Sequence, residues 1–199
     1  MFIYDVAIFD VALREGVFDT GLGVRFRSPE QGRNIIYTSL WDNYPAEVTV
    51  PLSGRARSAC LLMAGSTNNM QSRIENARVT VTYADGTQDV LPLENPVNWC
   101  PIEQDYYTDG YAFWTAPLKP YRVLLSDGRV SRDLSLDFLP AAENDNLYDA
   151  VKETDRGIPD GAAQILRMPL RRGRKLQSLT LTTLSNDVVI GLMAVTLEK

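Results

Sequence analysis

The stretch Arg78–Leu93, RVTVTYADGTQDVLPL, constrains the fold of this chain more than any other. Val79, Val81 and Tyr83 fall on one side of an extended backbone, and Arg78, Thr80 and Thr82 on the other. Asp85-Gly86 then supplies a tight turn, and Val90, Leu91 and Leu93 begin a return strand. Period-two alternation on both sides of an Asp-Gly turn predicts a β-hairpin. The same period recurs in KLQSLTLTTL through Leu179 and Leu181. SND turns the chain there, and VVIGLMAVTL follows. That last run is apolar on both sides, which predicts a central strand covered on both faces or a core strand of a sandwich.

Other strands are expected at Ile3–Phe9, Gly23–Arg27, Asn34–Leu40, Glu47–Leu52, Ser58–Ala64, Tyr111–Trp114, Arg122–Leu125 and Ala163–Pro169. Gly, Pro, Asn and Asp punctuate the intervals between them. Helical periodicity is weak, with Asn144–Thr154 the best stretch and Asn69–Glu75 a poorer one. Many short strands joined by turns predict an all-β fold, an antiparallel β-sandwich of the jelly-roll or galactose-binding-like kind with little helix. No repeat or linker divides the 199 residues, so a single domain, 1–199, is expected.

The chemistry open to the chain is limited by what it lacks. It has no histidine, which removes the commonest general base and zinc ligand, and with them Ser-His-Asp and Cys-His catalysis. Acid–base work would fall to Asp, Glu, Lys or Tyr. The net charge of −5 argues against nucleic acid as a partner. The one basic run, Arg167–Lys175, is broken by Pro169 and Gly173 and reads as a solvated turn rather than an anion site. Two cysteines, Cys60 and Cys100, are too few for a zinc site; free thiols are the first expectation and a single bridge the second. No segment reaches the roughly 18 apolar residues of a membrane helix. Asp5 and Asp10 interrupt the opening MFIYDVAIFD, so it does not read as a signal peptide.

Two stretches combine aromatic rings with polar side chains. One is Trp41-Asp42-Asn43-Tyr44. The other is PVNWCPIEQDYYTDGYAFW, Pro96–Trp114, which places Trp99 before Glu103, Gln104, Asp105 and Tyr106. Sugars present C–H faces that stack on aromatic rings, while carboxylates and amides take their hydroxyls. Trp41, Asp42, Asn43, Trp99, Glu103, Gln104, Asp105 and Tyr106 are therefore the candidate carbohydrate contacts. The alternative for the same rings is packing at the end of the sandwich. Glycoside hydrolysis needs two carboxyls roughly 5–9 Å apart. Glu103 and Asp105, two apart on an extended chain, would lie about 6–7 Å from each other. They form the alternative catalytic pair, although acids so spaced also serve as structural acceptors. The polar loop Gly65–Arg73 offers donors and acceptors to a ligand or to its own backbone. No cofactor is expected. Structural calcium would draw on oxygens of Glu143–Asp149 or of the Asp42 turn, but neither has the spacing of a defined calcium loop.

Five segments carry a family resemblance: Asn34–Pro45 (NIIYTSLWDNYP), Leu61–Arg73 (LLMAGSTNNMQSR), Val79–Thr87 (VTVTYADGT), Asn95–Phe113 (NPVNWCPIEQDYYTDGYAF) and Asn186–Leu197 (NDVVIGLMAVTL). Together, from about Asn34 to the end, the chain resembles the C-terminal β-sandwich region of large glycoside-hydrolase-like proteins of gut Bacteroidetes, grouped under a domain-of-unknown-function label. The pattern departs at Cys60 and Cys100, where aromatic residues are expected. The resemblance implies a piece of a periplasmic or secreted enzyme acting on complex glycans, with a helical barrel upstream. It implies that this piece is a non-catalytic accessory module. Its partners would be a glycan or the upstream catalytic domain of the same enzyme. An interaction protein without sugar affinity is the third reading.

Overall fold

A computed structural model describes the backbone of residues 3–4 together with residues 16–29, 33–67, 71, 73–103, 119–132, 134, 158 and 160–199. Among these the secondary structure is all β. The strands are β1 (Ile3–Tyr4), β2 (Val17–Asp19), β3 (Arg25–Arg27), β4 (Ile35–Ser39), β5 (Glu47–Pro51), β6 (Ser58–Thr67), β7 (Glu75–Tyr83), β8 (Gln88–Glu94), β9 (Tyr121–Leu124), β10 (Val130–Ser131), β11 (Ala162–Pro169), β12 (Leu176–Thr183) and β13 (Val188–Glu198).

Seven strands form one sheet in the order β1-β4-β13-β6-β11-β9-β10. Four form a second in the order β5-β12-β7-β8, and β2 and β3 make a separate hairpin. Every pairing is antiparallel. The hairpin read from Arg78–Leu93 is β7–β8, with Val79 opposite Leu91 and Thr80 opposite Val90. Among the described strands β8 lies at the sheet's edge, and it carries Pro92, whose missing N–H is tolerated there.

The two sheets enclose the main core. Ala59, Leu61 and Met63 of β6 meet Val79, Val81 and Tyr83 of β7 and Leu179 and Leu181 of β12 there. The alternate residues of β6, Cys60, Leu62 and Ala64, point to the other face of the large sheet, where the β2–β3 hairpin covers them with Phe18 and Phe26. Covering on both faces is why β6 and β13 lack polar alternation. β13 adds a bulge between Leu192 and Ala194. Before it, Val188, Ile190 and Leu192 face the main core; after it, Val195 and Leu197 do, and Met193 and Ala194 both turn to the second core. A one-residue bulge shifts the side-chain phase in this way.

The strands at β2 and β10 are additional to those expected from the sequence. Tyr111–Trp114 and Asn144–Thr154 lie outside the described residues, as do residues 69, 70 and 72 of Asn69–Glu75, while Glu75 opens β7 and Arg73 is left-handed (φ 58°). Cys60 and Cys100 are both buried thiols that form no disulfide with each other. No helix among the described residues is long and apolar enough to cross a membrane.

Candidate functional site

The Trp41 turn is built at the end of β4. The Ser39 hydroxyl donates to the Val188 carbonyl (2.8 Å) and accepts from the Trp41 amide (3.2 Å). The Tyr44 amide donates to the Trp41 carbonyl (3.0 Å), and the Ser39 amide to the Pro45 carbonyl (3.1 Å). Two backbone bonds and a bridging hydroxyl thus hold residues 39–45 in a closed turn with Asp42 and Asn43 exposed at its centre.

The turn arranges its aromatic rings in series. Tyr37 meets Tyr44 edge to face, at 6.4 Å and 83° between ring planes. Tyr44 lies 6.4 Å from Trp41, at 57°. Both separations fall in the favourable range for aromatic pairs. Trp41 is nevertheless 49% exposed, so the indole is buttressed from one side and open to solvent on the other. Leu40 and Leu184 are also among the few large apolar side chains left exposed. An open indole beside a carboxylate and an amide can stack on a C–H face and bond adjacent hydroxyls. Asp42 alone supplies no second carboxyl for glycosidic acid–base chemistry.

The second sequence candidate behaves differently. After β8 and the cis Asn95–Pro96 bond, the Asn98 side chain accepts from the Glu94 amide (2.9 Å) and donates to the Pro92 carbonyl (2.8 Å). The amides of Asn98 and Trp99 both donate to the Glu94 carbonyl. This tight turn drives Trp99 inward. Its ring is fully buried in the main core against the backbone of Gly65, with Nε1 lacking a hydrogen-bond partner among the described residues. The ring is a packing anchor and offers no face to a ligand. Alternation did not reveal this, because the inward direction comes from the side-chain bonds of Asn98.

Glu103 is exposed, and its carbonyl accepts from the Ile158 amide (2.8 Å). Gln104, Asp105 and Tyr106 lie outside the described residues, as do Asn68, Asn69 and Glu143–Asp149. Among the described residues no three metal-ligating side chains come together.

Arg122 was not singled out by the sequence, yet it organises the segment that follows Trp99. It is wholly buried. Its Nη2 donates to the carbonyls of Pro101 (3.1 Å) and Ala162 (2.9 Å), its Nε to the Ala163 carbonyl (3.2 Å), and its Nη1 to the Cys100 sulfur. A buried guanidinium is stable only when so thoroughly bonded. Its effect is to tie Cys100-Pro101 to β9 and β11. The only sequence signal for it is a charged residue on the face of a strand that is otherwise apolar, YRVLL.

Comparison with family models, curated proteins and solved structures finds no match.

Proposed function

We propose that this chain is a non-catalytic, carbohydrate-associated β-sandwich module of a larger glycoside hydrolase, and that it contacts glycan through the Trp41 turn. One observation carries the reading: a half-exposed indole, held in place by Tyr44 and Tyr37, with Asp42 and Asn43 exposed beside it. Rigid aromatic anchors beside a few polar groups are how recognition sites combine area with orientation at low entropic cost. The motif resemblance supports the same class of partner. Trp99 is absent from the contact set because its ring is in the core.

The test is affinity electrophoresis and titration calorimetry of the purified chain across a panel of plant and host glycans, with product analysis in parallel. The expected result is retardation by at least one glycan without turnover. Trp41→Ala should weaken binding about tenfold or more, as loss of an aromatic hot spot does, with an unchanged melting temperature. A chain that binds no glycan sinks the sugar reading and leaves an interaction role for the Trp41 surface. Cleavage lost in Glu103→Gln would replace the module with an enzyme.

A further inference from the structure

At the end of the sandwich away from Trp41, the loop between β5 and β6 and the hairpin between β11 and β12 flank an open cleft of about 430 Å³. It is lined by Arg55, Ala56, Arg57, Arg172, Gly173 and Lys199. Four of these six side chains are cationic and none is acidic, in a chain whose net charge is −5. Among the described residues none of the four cations forms an ion pair. The nearby arginines are engaged elsewhere: Arg167 with Glu198 (2.6 Å), Arg171 with Asp89 (2.8 Å) and Arg174 with Asp85. Glu198 at the margin accepts from the Ser58 hydroxyl and pairs with Arg167. That hydrogen bond, then Arg167 and more weakly Arg57, hold its carboxyl below the usual range.

The walls of the cleft are fastened by backbone bonds. The Leu176 amide donates to the Gly54 carbonyl (2.9 Å), Leu52 to Gln177 (2.9 Å), Leu170 to Arg57 (2.9 Å), and Arg57 to Glu198 (2.8 Å). The Arg55 Nε donates across the cleft to the Gly173 carbonyl (2.9 Å), which orients the guanidinium and leaves its two terminal nitrogens available. Gly173 has φ 77° and open space at its Cβ position. It lets the chain reverse without adding a side chain to the cleft.

We propose that this cleft is an oxyanion site that takes a small ligand bearing a sulfate, phosphate or carboxylate group. Like charges gathered on preorganised loops repel one another until an anion joins them. Guanidinium forks match the paired oxygens of all three groups. The chain's acidic balance disfavours an extended polyphosphate, while a cleft of this size accommodates a ligand of about one sugar ring. The proposal does not depend on the Trp41 reading. β13, which starts beside Ser39 and ends at the cleft, separates the two places by roughly 30 Å at about 3.3 Å per residue.

The test is calorimetric titration of the full chain at low ionic strength with sodium sulfate, sodium phosphate and sodium glucuronate, against chloride at matched ionic strength. The expected result is saturable 1:1 binding of at least one of the three. Arg57→Gln/Arg172→Gln should weaken it about tenfold or more, the scale of losing charge-assisted bonds, while Trp41→Ala leaves it unchanged. Preference for sulfate and phosphate identifies a tetrahedral group, and preference for glucuronate an acidic sugar. Melting curves of the single variants Arg57→Gln and Arg172→Gln confirm folding, since both side chains are exposed. Absence of saturable binding by all three anions, or equal affinity in the folded double variant, overturns the proposal. So does a single-stranded oligonucleotide that binds the cleft more tightly than any of them.

Discussion

The Thr183 hydroxyl donates to the Thr38 hydroxyl at 2.8 Å, and both residues are buried. Thr38 belongs to β4 in the seven-stranded sheet and Thr183 to β12 in the four-stranded sheet. The bond therefore bolts the two layers together just inside the Trp41 turn. A lone hydroxyl left behind in the core keeps its desolvation penalty. Thr183→Val should destabilise the chain by about 1–2 kcal/mol in urea unfolding. The double variant Thr38→Val/Thr183→Val should cost less than the sum of the two single ones, because no orphan remains. Additive costs would show that the pair does not act as a unit.

Gly65 marks the closest approach of β6, β13 and Trp99. A Cβ there would stand 2.0 Å from the Val189 carbonyl oxygen and 2.9 Å from Trp99 Cζ2. Neither the ladder backbone nor a fully enclosed indole can move aside cheaply. Gly65→Ala is expected to cost about 3 kcal/mol or more, read as a lower denaturant midpoint. A loss under about 1 kcal/mol would contradict packing this close.

Cys60 is an inert thiol despite being free. Burial first, and then the charge of Glu198, push its pKa up to about 11, against a partial opposing pull from Arg167. With thiolate scarce and the side chain enclosed, iodoacetamide at pH 8 should leave Cys60 unmodified in the folded chain and alkylate it only after unfolding in guanidinium. Peptide mass spectrometry reads the site directly. Rapid labelling of the native protein would refute the buried placement.

Tyr83 gives stability an alkaline limit. Its phenol donates to Asp89, which also holds Arg171, and accepts from the Arg171 amide (2.8 Å). Burial and then the Asp89 bond raise its pKa. A raised folded-state pKa stabilises the protonated form. The contribution is therefore complete below the ordinary phenol value of about 10 and is lost as pH rises through the folded-state value. Denaturant midpoints should fall above about pH 10 in the native sequence, and less steeply in Tyr83→Phe. Parallel curves would remove Tyr83 as the cause.

Much of the architecture was legible because alternation is a local property. Val79-Thr80-Val81 needs only its own spacing to declare one wet and one dry face, and the β7–β8 hairpin follows from Asp85-Gly86. The unbroken apolar run of β13 announced a strand covered on both sides. Its bulge at Leu192–Ala194 was not announced, because a bulge depends on the partner's register. The site was only half legible. Trp41 and Trp99 are both tryptophans beside polar residues, and sequence treats them alike.

What the sequence determined by itself is the class of the fold and the chemistry it excludes: period-two strands, tight turns, and no histidine to serve as base or ligand. What only the tertiary structure decided is direction and company. It set Trp99 into the core through Asn98 and left Trp41 open at the tip of β4. It also brought Arg55 and Arg57 opposite Arg172, although more than a hundred residues separate them along the chain. The turn that aims Trp99 is local, but the core it enters and the company of Trp41 and of the arginines share one physical reason. A side chain's exposure and neighbours depend on which strands pair across the sheet, and those pairings are long-range contacts with no signature in local spacing.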